Sequence, residues 1–291
     1  MKVKYKKVII DKQTNITYKG KEFQFPMILL SILGILKRKS EQKWDNLILI
    51  TGAVGTAKST MAQGLAGVYE MLYGRELSLD NFTWSGQGVV DFIDREDNIT
   101  EAIIYDEAVK GGTGRDVITK EGNLLKIGLV VGRRKRHLYF MLVDEIHEYS
   151  KKIISRASLL IDMRTMVVRG EDKRGYFKLY NTRELKDIYW LLKLQKIRSI
   201  SEYSATGKPF YKFRNFEGIF IDEKEYEDKK IELTKSEIST SSIKWTEDKL
   251  KAFHLWSKTK KKLVDIADIV GINRSTMTPW GRDFKKYGER P

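Results

Sequence analysis

The segment that most restricts the fold is Leu47-Ile48-Leu49-Ile50-Thr51, which runs directly into Gly52-Ala53-Val54-Gly55-Thr56-Ala57-Lys58-Ser59. A short apolar run bounded by a turn suits a strand buried on both faces. From Thr60 to Tyr73 apolar residues recur with helical spacing, and Gly74 closes the pattern. Strand, glycine-bearing loop and helix in this order let successive backbone N–H groups face a phosphate chain, while the helix N-terminus adds a favourable dipole potential. Gly52, Ala53, Val54, Gly55, Thr56, Ala57, Lys58, Ser59 and Thr60 then form the phosphate cradle, with Lys58 meeting the β- and γ-phosphates and Ser59 holding Mg²⁺. Ala57 stands where the usual loop has glycine, a replacement the backbone tolerates if that residue needs no positive φ.

A second signal follows at Ala102-Ile103-Ile104-Tyr105-Asp106-Glu107, an apolar strand ending in two carboxylates. After a phosphate-binding loop, such a pair suits division of labour: Asp106 binds Mg²⁺ directly or through water, and Glu107 orients and deprotonates the attacking water. One further strand, Phe82–Trp84, lies between the two motifs, and Leu138–Val143 and Leu159–Met163 follow them. Alternation of such strands with helices predicts an α/β fold, a P-loop NTPase with a mainly parallel central sheet. Beyond it, Arg164–Arg169 and Gly175–Tyr180 flank residues 170–174 as a hairpin, and a helix is expected over Glu184–Ile197.

Other polar residues are assigned by position. Arg133-Arg134-Lys135-Arg136 precede the strand Leu138–Val143. Arg133 and Arg134 suit an arginine finger acting on a neighbouring subunit's γ-phosphate, contacts to DNA phosphates, or a solvated basic turn. Asp144, at the end of that strand, takes the place of a polar sensor, and Arg115 is a weaker candidate for the role between subunits. Arg156 and Arg164 are expected near the nucleotide edge, either there or in structural ion pairs, while His137 and His147 are expected on the surface.

Charge and composition narrow the partners. The 291 residues carry 54 Lys+Arg against 39 Asp+Glu, a net charge of +15, which favours polyanions such as nucleic acid. Absence of cysteine excludes a disulfide scaffold, a Cys zinc site and a Cys nucleophile, and fits an intracellular, cytoplasmic protein. The longest apolar run, Met27–Leu36, is too short to span a hydrocarbon layer that needs about 20 residues, so a buried helix and no membrane insertion are expected.

The sequence suggests four regions: an N-terminal extension (1–43), the ATPase core (44–200), a charged extension and linker (201–242) and a small all-α unit (243–291). In the last, Lys262 to Trp280 fits a helix-turn-helix, with Ala267 small where two helices approach, Gly271 at the turn and Asn273 as cap. Arg274, Ser275, Thr276 and Thr278 would face bases, and Lys261 and Lys262 phosphates. From Lys244 onward there are 12 Lys+Arg against 6 Asp+Glu, although Pro279 and Gly281 interrupt the second helix, and a protein-docking module fits the same residues.

The order GAVGTAKS, FTWSGQGVVDFI, AIIYDEA, LVVGRRKRHLYFMLVDEI, SRASLLIDMRT and RGYFKLY, over roughly residues 44–180, resembles additional-strand catalytic-glutamate ATPases of viruses, phages and plasmids. These are related to the FtsK–HerA motors and to the N-terminal ATPase domain of zonular occludens toxin-like proteins. The resemblance implies a ring-forming homo-oligomer that uses ATP and Mg²⁺ to translocate or package double-stranded DNA, with a viral portal or capsid component as a possible protein partner. An AAA+-like helicase loader or transposition helper, or an ATP-switched DNA-binding regulator, is the alternative.

Overall fold

The computed structural model describes residues 9–96, 99–106, 120–143, 146–168, 170–203, 208–214 and 218–241, together with Ala252, residues 263–271, Asn273, Thr276 and Trp280. The chain divides into a large unit, Met1–Asp228, and a smaller one, Lys229–Pro291.

In the large unit the strands are β1 (Ile9–Ile10), β2 (Gln13–Tyr18), β3 (Lys21–Pro26), β4 (Asn46–Thr51), β5 (Phe82–Thr83), β6 (Ala102–Tyr105), β7 (Leu138–Val143), β8 (Ala157–Val168), β9 (Glu171–Asn181) and β10 (Phe210–Lys212). The helices are α1 (Met27–Glu41), α2 (Lys58–Met71), α3 (Gly86–Ile93), α4 (Lys120–Lys135), α5 (Lys151–Arg156), α6 (Thr182–Lys193), α7 (Ile200–Tyr203) and α8 (Glu223–Ser241), the last running past Asp228.

The main sheet has the order β1-β10-β9-β8-β4-β7-β6-β5. From β5 to β8 neighbouring strands are parallel, whereas β8–β9 and β9–β10 are antiparallel. Every residue of β4, β6 and β7 is buried, as expected where helices cover both faces. On one face Leu29, Leu33 and Leu36 of α1 join Met61 and Leu65 of α2, the β2–β3 hairpin and Phe220 in one core. On the other, Val89 and Phe92 of α3, Leu125 and Leu129 of α4, and Leu185 and Ile188 of α6 form a second. The helix expected from the apolar run at Met27 is therefore a layer of the first core, and among the described residues no helix is long and apolar enough to cross a membrane.

Two expectations about the hairpin region need correction. The chain reverses at Gly170, whose φ is +84°, and Val168 pairs with Glu171, so residues 171–174 belong to a strand rather than a loop. All four are exposed, so no run or alternation of apolar side chains marks them as a strand. The following helix covers Thr182–Lys193 rather than Glu184–Ile197. Its start is fixed by Asn181, whose Oδ1 accepts the N–H groups of Arg183 and Glu184 at 3.0 and 3.1 Å, while Glu184 accepts the Asn181 N–H at 2.9 Å.

In the smaller unit, α9 (Leu263–Val270) buries Ile266 and Ala267, and Gly271 follows with φ +76°, a left-handed residue that ends the helix. The Thr276 N–H donates to the Asn273 carbonyl at 3.0 Å, and Thr276 is exposed. Arg274, Ser275, Thr278, Lys261 and Lys262 lie outside the described residues.

Candidate nucleotide-binding site

The loop leaves the C-terminal end of β4 with a backbone only glycine can adopt. Gly52 has φ +146°, and a Cβ there would lie 2.5 Å from the Met163 carbonyl oxygen of β8. Gly55 is also left-handed, at φ +79°. Thr56 turns inward, its N–H and Oγ1 both donating to the Ala53 carbonyl, at 3.2 and 2.8 Å, and Val54 stands exposed at the tip.

Ala57 departs from expectation. It sits at φ +69°, ψ +40°, so this position does require the left-handed region that its Cβ disfavours. The strain is of order 1–2 kcal/mol. The Ala57 carbonyl accepts the first helical bond of α2, from Met61 N–H, at 3.0 Å.

Lys58 opens α2, and its Nζ donates back to the Gly52 carbonyl at 2.7 Å, which lays the ammonium across the loop. Ser59 Oγ donates to Asp106 Oδ2 at 3.2 Å. Asp106 directly follows β6 and is 4% exposed, and its own N–H donates to the Thr83 carbonyl at 3.0 Å, which ties the acidic end to β5. The two sequence motifs thus meet although β7 lies between their strands.

These residues fit a nucleotide triphosphate and Mg²⁺. A loop with left-handed residues at Gly52, Gly55 and Ala57 ahead of a helix start suits backbone N–H groups and dipole directed to phosphate, Lys58 supplies a cation, and the Ser59–Asp106 pair supplies hard oxygen donors. Thr60 lies in the same first turn of α2, half-buried.

Sequence reasoning missed two residues here. Glu70, near the end of α2, accepts the Ala102 N–H at 2.5 Å and Arg75 Nε at 2.6 Å, so the helix that begins at the loop is fastened to the strand that leads into Asp106. Burial raises the Glu70 carboxyl above its ordinary value, an effect that Arg75 opposes. Tyr226, in the first turn of α8, is 3% exposed and donates its hydroxyl to Asp106 Oδ2. Burial pushes this phenol well above the ordinary tyrosine value, with the Asp106 charge adding to it, so the oxygen keeps its proton. Within the acidic and basic residues 222–242, where Tyr226 is the only aromatic, the one signal was an aromatic residue among charges.

Beside the loop a cavity of about 150 Å³ is lined by Gly52, Ala53, Asp162, Arg164 and Arg198, among others. Asp162 is buried, which raises its carboxyl to about 6 despite the Arg164 guanidinium, whose Nε donates to it at 2.8 Å. Arg164 therefore adjoins the loop, as expected, and is also ion-paired.

Other candidates lie elsewhere. Arg156 donates to Asp45 and, at 2.8 Å, to the Leu129 carbonyl, at the N-terminal end of β4 and so away from the nucleotide edge. Arg133 is exposed and 3.8 Å from the same Asp45, with Arg134 exposed beside it. The loop is at the other end of β4, roughly 16 Å off at about 3.3 Å per residue, so Arg133 and Arg134 are not part of the same chain's phosphate site. His137, expected on the surface, is fully buried: its Nδ1 accepts the Glu101 N–H at 3.2 Å and its ring packs edge-on against Phe92 and Tyr139. Glu107, Arg115 and Asp144 lie outside the described residues.

Strand order, loop and the Ser59–Asp106 contact are compatible with a P-loop NTPase fold, with β7 lying between the loop strand and the acidic strand. The sequence matches no protein-family profile and no curated protein. Among solved structures it is similar to the N-terminal domain of zonular occludens toxin from Neisseria meningitidis, at 14% identity over 47% of this chain and 84% of that one, TM-score 0.35. It is also similar to the genome packaging NTPase B204 from Sulfolobus turreted icosahedral virus 2 in complex with AMPPCP, at 12% identity over 48% and 93%, TM-score 0.35. A third is the pilus retraction motor PilT with bound ADP, at 11% over 68% and 70%, TM-score 0.36.

Proposed function

We propose that this chain is an ATP- and Mg²⁺-dependent P-loop ATPase that works as a DNA motor, translocating or packaging double-stranded DNA as a ring-forming homo-oligomer. The observation that carries the ATPase reading is the Ser59–Asp106 hydrogen bond at 3.2 Å, which joins a helix-start hydroxyl to a buried carboxylate beside a left-handed loop. Lys58 holds the β- and γ-phosphates, Ser59 and Asp106 hold Mg²⁺, and Glu107, the next residue, serves as general base. Bound Mg²⁺ neutralises charge that develops on the transferred phosphoryl group.

The net charge of +15 supports DNA as cargo. Support for the smaller unit as its holder comes from α9, the left-handed Gly271 and exposed Thr276. On this reading Arg274, Ser275 and Thr278 would face bases and Lys261 and Lys262 phosphates. Arg133 and Arg134, exposed and remote from the same chain's loop, suit a role toward a neighbouring subunit or toward DNA, and Asp144 suits the sensor position. A cytoplasmic setting and a capsid or portal partner belong to this reading.

The test is steady-state ATP hydrolysis with and without long double-stranded DNA, for the wild type and Glu107→Gln. Stimulation that grows with DNA length and vanishes in the variant is the expected result. Hydrolysis that depends on Glu107 but ignores DNA would replace the motor by a loader or a nucleotide switch.

A further inference from the structure

Asp106 is held by more than the loop helix. Two hydroxyls converge on its Oδ2, Ser59 Oγ from α2 and Tyr226 OH from α8. The Tyr226 ring is seated against Phe82 of β5, centroids 5.3 Å apart, and against Trp84 at 6.3 Å. Its backbone is pinned at the start of α8, where the Tyr226 N–H donates to the Asp222 carbonyl and the Glu225 N–H to Asp222 Oδ1, each at 3.0 Å.

A phenylalanine would pack as well on Phe82 and Trp84, so packing alone leaves the hydroxyl unexplained. A buried hydroxyl costs free energy unless it is hydrogen-bonded, and here its acceptor is the carboxylate assigned to the metal. Mg²⁺ demands near-ideal octahedral geometry and tolerates misdirected donors poorly, so the plane in which a carboxylate is held affects the affinity of the site. Groups that orient metal-binding side chains from behind typically contribute about 10–100-fold to metal affinity or activity.

The geometry points to Tyr226 as a positioning residue for the metal site: its hydroxyl fixes the Asp106 carboxylate, and so makes the segment after β10 part of the Mg²⁺-binding apparatus. This rests on the nucleotide-site reading above and extends it to a residue some 120 positions from the carboxylate, as the separation of the two partners shows.

The test compares the wild type, Tyr226→Phe and Lys58→Ala as full chains, using a fluorescent, non-hydrolysable ATP analogue titrated at increasing Mg²⁺ and also in chelator. For Tyr226→Phe the half-saturating Mg²⁺ concentration should rise about 10-fold. Affinity for the analogue in chelator should stay within about two-fold and thermal melting should be unchanged, because the ring is kept. An unchanged Mg²⁺ midpoint in Tyr226→Phe would overturn the proposal and leave the nucleotide site intact. A lowered midpoint would also overturn it, by showing that the hydroxyl competes with the metal. If the wild type binds no analogue, or Lys58→Ala binds it equally well, the nucleotide-site reading fails and the role of Tyr226 fails with it. A Tyr226→Phe chain that melts early would be titrated at a temperature well below its transition, and a Mg²⁺ midpoint equal to that of the wild type there would again overturn the assignment.

Discussion

Glu70 Oε1 accepts the backbone N–H of Ala102 at 2.5 Å, joining the last turns of the loop helix to the first residue of the acidic strand. Arg75, whose Nε donates to the other Glu70 oxygen at 2.6 Å, also donates to the Thr100 carbonyl at 2.8 Å, so one carboxylate and one guanidinium staple α2 to the approach to β6. Glu70→Ala removes the acceptor of a buried N–H and is expected to cost about 1–3 kcal/mol. The Arg75 side chain is 31% exposed and can rehydrate, which keeps the loss at the lower end. A urea titration measures it, and an unchanged midpoint would show that the staple is dispensable.

Lys58→Ala removes the one loop cation that lies across the phosphate cradle, where Nζ reaches the Gly52 carbonyl at 2.7 Å. Nucleotide binding or turnover should be lost while thermal melting changes little, since the side chain is only half-buried. Filter binding of radiolabelled ATP decides it, and normal turnover would remove Lys58 from the site.

Ala57→Gly should relieve the left-handed strain at φ +69°. The gain of about 1–2 kcal/mol is opposed by about 0.5–1 kcal/mol of added freedom in the unfolded chain. The net expectation is a neutral to modestly higher melting temperature with nucleotide affinity retained. Clear destabilisation would show that the strain is smaller than the geometry indicates.

His137 makes the fold sensitive to acid. Burial lowers its folded-state value to about 3 from 6.5, so below pH 6.5 the unfolded chain takes up a proton that the folded chain refuses. Stability therefore declines as pH falls from 6.5 toward 3, by up to ~1.4 kcal/mol per unit, or about 2 kcal/mol between pH 7 and 5. Asp162 acts in the opposite sense. Its folded value is raised to about 6 from 3.8, so stability from that group falls as pH rises through this window. Comparing wild type with His137→Gln isolates the histidine, and the variant should lose about 2 kcal/mol less between pH 7 and 5 in urea titrations. An equal loss in both would exclude His137 as the cause.

The strands β4, β6 and β7 were legible because all their residues are buried, which forces continuous apolar runs. The Ser59–Asp106 meeting was legible from the motifs, since the loop after β4 brings a hydroxyl to the helix start and the apolar run of β6 leads into a carboxylate. The far half of the β8–β9 ribbon was not, because its exposed residues carry no period. The β2–β3 hairpin turns at Lys19-Gly20, both left-handed, with lysine where asparagine or aspartate usually signals the turn. His137 was misplaced because a basic neighbourhood suggests solvent, while its ring is covered by Phe92 and Tyr139. Ala57 shows the limit of motif reasoning, since backbone need and residue preference disagree there.

The pairing of β1 with β10 has a consequence for synthesis. Ile9 aligns with Phe210, about 200 residues later, so the outer strand of the main sheet is completed by a segment made long before its partner. At about 5–20 residues per second, β1 waits roughly 10–40 s on the ribosome for β10. The strands β2 and β3 pair with each other locally and need no such delay, although their packing against Phe220 waits as β1 does. The nascent chain thus carries an unpaired strand through the whole period in which the nucleotide loop is made, and only then seals that edge.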